Sequence, residues 1–137
     1  MGRAAIGQRI ATVEAHGLGA IATSTMHRFF SEGFRQQRAA TVSRHQRLLE
    51  CTDPEGYTAC AAALCEADLW DKLGQIQVPT LVIAGTHDES MPIEVAQALT
   101  RGIARAELAT LQGCAHLSAV EQPEAFTELL GEFVASV

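Results

Sequence analysis

Val78-Pro79-Thr80-Leu81-Val82-Ile83-Ala84-Gly85 is an apolar, β-branched run bounded by proline and glycine, and Thr86-His87-Asp88 follows it directly. Such a run predicts a strand buried on both faces of a parallel sheet. Downstream, the pattern predicts a helix from Pro92 to Arg101 with Val95 and Leu99 inward, then a second strand from Ala106 to Leu111. Phe126, Leu129, Leu130, Phe133 and Val134 recur at helical spacing and predict a last helix, from Pro123 to Val134, with a core-facing stripe. Alternation of strand, helix, strand and helix is the α/β signature.

Upstream of Val78 the periodicity is helical. Ile6, Ile10 and Val13 share one face of a helix ending near Gly17, and Ile21, Met26, Phe29 and Phe30 predict a second helix before Gly33. Residues 36–50 are polar and Arg-rich, with Val42, Leu48 and Leu49 as apolar contacts. Thr52-Asp53-Pro54-Glu55 reads as a capping box that starts a helix burying Tyr57, Cys60, Ala61 and Leu64. Asp68 then caps a short turn holding Leu69, Trp70 and Leu73, which ends at Gly74. The expected division is a helical segment over 1–75 and a strand-helix-strand-helix segment over 76–137.

Composition narrows the function classes. The 137 residues carry a net charge of −6 and lack an apolar run long enough to span a membrane. They also lack the features of a secretory signal, so a cytoplasmic location is expected and membrane partners are not. Residues 1–50 hold seven Arg against three Glu, and the remainder three basic against thirteen acidic side chains. A basic first half can attract an anionic substrate or be solvated helix surface. Without a recognisable reading motif it does not point to nucleic acid. Cys51, Cys60, Cys65 and Cys114 form no CxxC pair and have no finger-spaced histidines, so reduced core thiols are expected and a metal site is not.

The chemistry gathers beyond the two strand ends. Asp88 stands past the first and His116, in Gly113-Cys114-Ala115-His116, past the second. Functional groups in open α/β sheets collect at the carboxyl ends of strands. An acid at one tip and an imidazole at the next, in that chain order, match the last two members of a Ser, Asp, His triad. In it the acid accepts the Nδ1 proton and fixes the tautomer, while Nε2 takes the serine proton. His87, beside Asp88, is expected to be exposed, Ser118 to cap the turn leading to Glu121, and Cys114 to be inert at a strand end.

VPTLVIAGTHDESMP (78–92) and GCAHLSAVEQPEAFTELLGEFV (113–134) resemble the C-terminal part of α/β-hydrolases. HRFFSEGF (27–34) and TDPEGYTACAAALCEADL (52–69) are similar to the lid of 3-oxoadipate enol-lactonases, enzymes of aromatic catabolism through the β-ketoadipate pathway. The resemblance implies a partial α/β-hydrolase fold: a helical lid plus the last two parallel strands and their helices. It implies hydrolysis of an enol-lactone or carboxylic ester, with Asp88 and His116 catalytic, Arg28, Trp70 and Leu117 against the substrate, and no metal or organic cofactor.

The departure from the family pattern is chemical. Ser24, Ser31, Ser43, Ser90, Ser118 and Ser136 all lack the glycines of a G-x-S-x-G elbow. The nucleophile, most of the sheet and the oxyanion-hole loop are therefore missing from these residues. The expectation is a chain inactive alone, completed by an N-terminal segment or second chain, or self-associating through its open strand edge. Two alternatives accompany it: another α/β-hydrolase chemistry (esterase, C–C hydrolase or perhydrolase), and a non-catalytic remnant serving as an interaction module.

Overall fold

The computed structural model describes residues 2–137. Five helices come first: α1 (Arg3–His16), α2 (Gly19–Phe29), α3 (Glu32–Gln37), α4 (Ala39–Glu50) and α5 (Pro54–Glu66), followed by a 3₁₀ turn (Trp70–Gln75). The pattern then alternates through β1 (Thr80–Gly85), α6 (Ile93–Gly102), β2 (Ala106–Leu111), the short α7 (Ser118–Glu121) and α8 (Pro123–Ser136). β1 and β2 pair in parallel, in register from Thr80 opposite Ala106 to Gly85 opposite Leu111. Helix α6 is the crossover that two parallel neighbours require.

The helical half packs α1 against α5 and α2, and α2 against α4. At its centre Val13, Leu18 and Ile21 are buried, with Leu49 and Tyr57 packed on them. Gly17 ends α1 at φ 74°, a left-handed value that a glycine adopts without the Cβ penalty, and its N–H satisfies the Val13 carbonyl. Phe30, fully buried, stacks on Phe34 and meets His45 edge-on. That packing sets the corner between α2 and α3.

Several expectations are corrected. The cap of α5 is Asp53, whose Oδ2 accepts from the Gly56 N–H at 2.7 Å; Thr52 instead donates its hydroxyl back to the Leu48 carbonyl at 2.9 Å. A cap of this kind is worth about 1 kcal/mol. Helix α5 buries Ala61, whereas Cys60 is exposed and Leu64 is 67% exposed, because the neighbour α1 covers one face of it. Leu48 likewise faces outward, and of the four free thiols Cys114 alone lies in the core.

The strands are less covered than their composition asks. β1 is half-buried over Thr80–Ile83 and buried at Ala84 and Gly85. A strand built of Leu, Val and Ile has one paired neighbour here, so the other edge and part of each face stay open. On the α8 side, Phe126, Leu129 and Phe133 are half-buried while Leu130 and Val134 are exposed, which narrows the expected five-residue stripe to three. An open groove of about 300 Å³, lined by Leu81, Leu108, Leu129 and Phe133, marks the incomplete seal between sheet and helix.

Candidate active site

The parallel register brings the carboxyl ends of β1 and β2 side by side, and the loops after them interlock. Thr86 donates its N–H to the Leu111 carbonyl at 3.0 Å, and its hydroxyl accepts from the Gly113 N–H at 2.9 Å. The His87 N–H donates to the Cys114 carbonyl at 2.9 Å. These bonds consume the backbone groups of both turns and fix the positions from which Asp88 and His116 project.

Asp88 and His116 meet: the histidine Nδ1 lies 2.8 Å from Asp88 Oδ2. The other carboxylate oxygen accepts from the Ser90 and Met91 N–H groups at 2.8 and 2.9 Å. The Asp88 side chain is 8% exposed and that of His116 35%. A nearly buried carboxylate with both oxygens occupied is a fixed acceptor, so the Nδ1–H tautomer is the one this geometry selects. Nε2 is then the basic nitrogen of the ring.

One wall of the site comes from the helical half. The Phe29 ring lies 5.3 Å from the imidazole at an interplanar angle of 30°, and the Leu117 N–H donates to the Phe29 carbonyl at 2.9 Å. Beside the dyad a groove of about 200 Å³ is lined by Val82, Gly85, Asp88, Met91, His116 and Ser118. Apart from Asp88, His116 and Ser118 its lining is apolar, and much of it is the open face of β1 and α6.

The remaining candidates fall in different places. Arg28 is half-buried, donates to Thr25 Oγ1 at 3.3 Å and sits 6.0 Å over the Phe29 ring. Burial, and then the charge of Arg9, push its guanidinium below the usual range, an effect that Tyr57 opposes. Leu117 is half-buried and contributes its backbone to the Phe29 contact. Trp70 is 53% exposed on its 3₁₀ turn and does not line the groove with Asp88 and His116. His87 is exposed. Ser118 is buried and is the first residue of α7, whose N-cap position is Leu117, so its expected role as a cap is corrected: its place is in the groove lining.

Glu121 is the residue that sequence reasoning passed over. Its Oε1 accepts from the N–H groups of Ala115 at 2.8 Å and Ser31 at 3.0 Å, and its Oε2 from the Ser31 hydroxyl at 2.5 Å. The available signal was an isolated acid in the otherwise uncharged stretch between His116 and Pro123.

Cys114 is fully buried, and its thiol donates to the Leu111 carbonyl at 3.4 Å. Burial, reinforced by the negative charges of Glu121 and Asp88, pushes the thiol up to about 11. It is protonated at neutral pH and a poor nucleophile. In the unfolded chain it ionises near the ordinary thiol value, so the folded state holds the proton more tightly. Stability from this group is present below about pH 9 and is lost as pH rises toward 11. Iodoacetamide at pH 8 is expected to label exposed Cys51 and Cys60 in the folded protein, and Cys114 only after denaturant is added, as read by peptide mass. Labelling of native Cys114 at the rate of Cys51 would contradict the burial.

A fold with parallel strands whose adjoining tips hold an acid–histidine pair, under a helical lid, is that of an α/β-hydrolase. Over the part it spans, the chain has the α/β-hydrolase fold, with a helical lid, two parallel strands and their helices. Among α/β-hydrolases it resembles the 3-oxoadipate enol-lactonases. It is 33% identical to 3-oxoadipate enol-lactonase 1 of Acinetobacter baylyi over 129 residues, covering 94% of this chain and 48% of that protein. With 3-oxoadipate enol-lactonase 2 of the same organism it shares 36% over 118 residues, 86% of this chain and 44% of the relative. The crystal structure of the enol-lactonase from Burkholderia xenovorans LB400 superposes with a TM-score of 0.90 at 29% identity, over 93% of this chain and 49% of that one. The chain thus spans about half the length of the curated relatives it matches. No family model matches it. Among the described residues no helix is long and apolar enough to cross a membrane.

Proposed function

We propose that the chain supplies the acid and base of a serine-hydrolase site acting on an enol-lactone or carboxylic ester, with the serine contributed by a segment outside these 137 residues. The observation that carries this reading is the 2.8 Å contact between His116 Nδ1 and an Asp88 carboxylate already held by two backbone N–H groups. An acceptor fixed in this way costs no reorganisation when the imidazole becomes charged.

In the reaction, a serine oxygen adds to the lactone carbonyl as its proton passes to His116 Nε2. The tetrahedral intermediate collapses with cleavage of the ring C–O bond, and His116 returns the proton toward the departing enol oxygen. Water, deprotonated by the same Nε2, then adds to the acyl-enzyme; collapse expels the serine oxygen, which recovers its proton from His116. Asp88 stays ionised and stabilises the imidazolium at each stage. The enol of the product tautomerises to a ketone. An enolate leaves more readily than an alkoxide, which shifts the demand from leaving-group activation to positioning, and Arg28, with its bidentate donors, suits a substrate carboxylate.

The similarity to enol-lactonases over most of this chain supports the lactone as substrate. The chain alone is expected to leave 3-oxoadipate enol-lactone and p-nitrophenyl acetate unhydrolysed above buffer, since the covalent step lacks its nucleophile. Joined to the half of the Acinetobacter baylyi enol-lactonase that it does not span, it is expected to hydrolyse the lactone, and His116→Ala to abolish that turnover. Turnover by the chain alone that His116→Ala removes would overturn the proposal. So would a folded fusion that hydrolyses neither compound.

A further inference from the structure

We infer that Glu121 is a positioning residue that ties the orientation of His116 to the docking of the helical lid. The inference rests on the reading of His116 as general base. Ala115, on the N-terminal side of the histidine, donates to Glu121 Oε1, and the same oxygen accepts from the Ser31 N–H at the corner between α2 and α3. The Ser31 hydroxyl donates to Oε2 across 90 residues of sequence. On the C-terminal side, the Leu117 N–H donates to the Phe29 carbonyl, and the Phe29 ring covers the imidazole.

The backbone on both sides of His116 is therefore anchored to the same three residues of the lid corner, 29–31. Bonds to a carboxylate are charge-assisted and roughly twice as strong as neutral ones, so the Glu121 anchor is the stiffer of the two. Lifting the corner removes two of the three donors to Glu121, the acceptor of Leu117 and the aromatic wall together. Asp88 alone then holds the ring, at one atom. The docked lid thus selects the imidazole orientation in which Nδ1 faces Asp88, and an undocked lid leaves the base misaligned.

The tautomer of His116 reports this without any substrate. Long-range ¹H–¹⁵N correlation in the ¹⁵N-histidine-labelled 137-residue chain resolves the Nδ1–H and Nε2–H forms. The wild-type ring is expected to be mainly Nδ1–H. In E121A, with helical circular dichroism retained, the ratio of Nδ1–H to Nε2–H is expected to fall roughly tenfold. E121Q is expected to restore it, because the amide oxygen can accept from both N–H groups while Nε2 donates to Ser31 Oγ. A folded E121A with the wild-type ratio would overturn the inference. Should E121A not fold, E121D keeps the charge but shortens its reach to Ala115 and Ser31; the ratio is expected to fall there too, and an unchanged ratio overturns the inference equally. A wild-type ring without the Nδ1–H form would instead refute the Asp88–His116 reading itself.

Discussion

Gly85→Ala is expected to unfold the chain or to cost about 3 kcal/mol or more, the upper range for forcing extra volume into a packed site. A Cβ built on Gly85 would lie 2.4 Å from the carbonyl oxygens of both Cys114 and Ala115, and 2.9 Å from the Cys114 carbonyl carbon. These are backbone atoms, so no side chain can rotate to make room. Nor is backbone conformation the reason, since positive φ among the described glycines occurs at Gly17 and Gly113. Glycine is needed at position 85 because the histidine loop crosses directly over the end of β1. Making space would push Cys114 away from the His87 N–H that it now accepts and carry His116 away from Asp88. Gly131→Ala is the matched control: its Cβ meets nothing within 4 Å inside helix α8, and it is expected to stabilise by roughly 0.5–1 kcal/mol. Urea denaturation followed by circular dichroism measures both. Equal midpoints for Gly85→Ala and wild type would show that the loop does not pass so close.

That crossing illustrates which parts of the molecule the sequence disclosed. β1, β2 and their terminal helix were legible because a β-branched run between Pro79 and Gly85 and a regular apolar spacing after Pro123 each admit few alternatives. The meeting of Asp88 and His116 was legible from topology: adjacent parallel strands must put their carboxyl ends side by side. The cap of α5 was misread between two neighbouring candidates. Thr52 and Asp53 both precede Pro54, and the shorter, ionised side chain at position 53 reaches the Gly56 N–H. Burial was misjudged wherever an element has one neighbour. Leu64, Leu130 and Val134 have the spacing of core residues, yet spacing cannot tell that nothing covers that face among the described residues. Glu121 was missed for a different reason: its partners Ser31 and Ala115 come from segments that no local pattern links.

Asp88→Asn is expected to lower turnover of the lactonase fusion by about 10⁴ while leaving the fold intact. The two oxygens of Asp88 have separate duties, and the substitution separates them. Asparagine can keep its carbonyl oxygen where Oδ1 now accepts from Ser90 and Met91, so the turn after β1 is preserved. Its NH₂ group then occupies the place of Oδ2 and presents a donor to His116 Nδ1. Two donors cannot face each other, so Nδ1 must become the acceptor and the ring proton moves to Nε2. A histidine protonated at Nε2 cannot take the serine proton, and it loses the negative charge that stabilises the imidazolium. Asp88→Ala makes a useful contrast: it frees the tautomer without enforcing the wrong one, but strips the Ser90 and Met91 N–H groups of their acceptor and is expected to cost about 1–3 kcal/mol in stability. Nitrogen-detected spectra should accordingly show His116 almost wholly in the Nε2–H form in the asparagine variant and mixed in the alanine variant. An asparagine variant that stays in the Nδ1–H form, or retains a tenth of wild-type turnover, would mean that the carboxylate is not what orients the base.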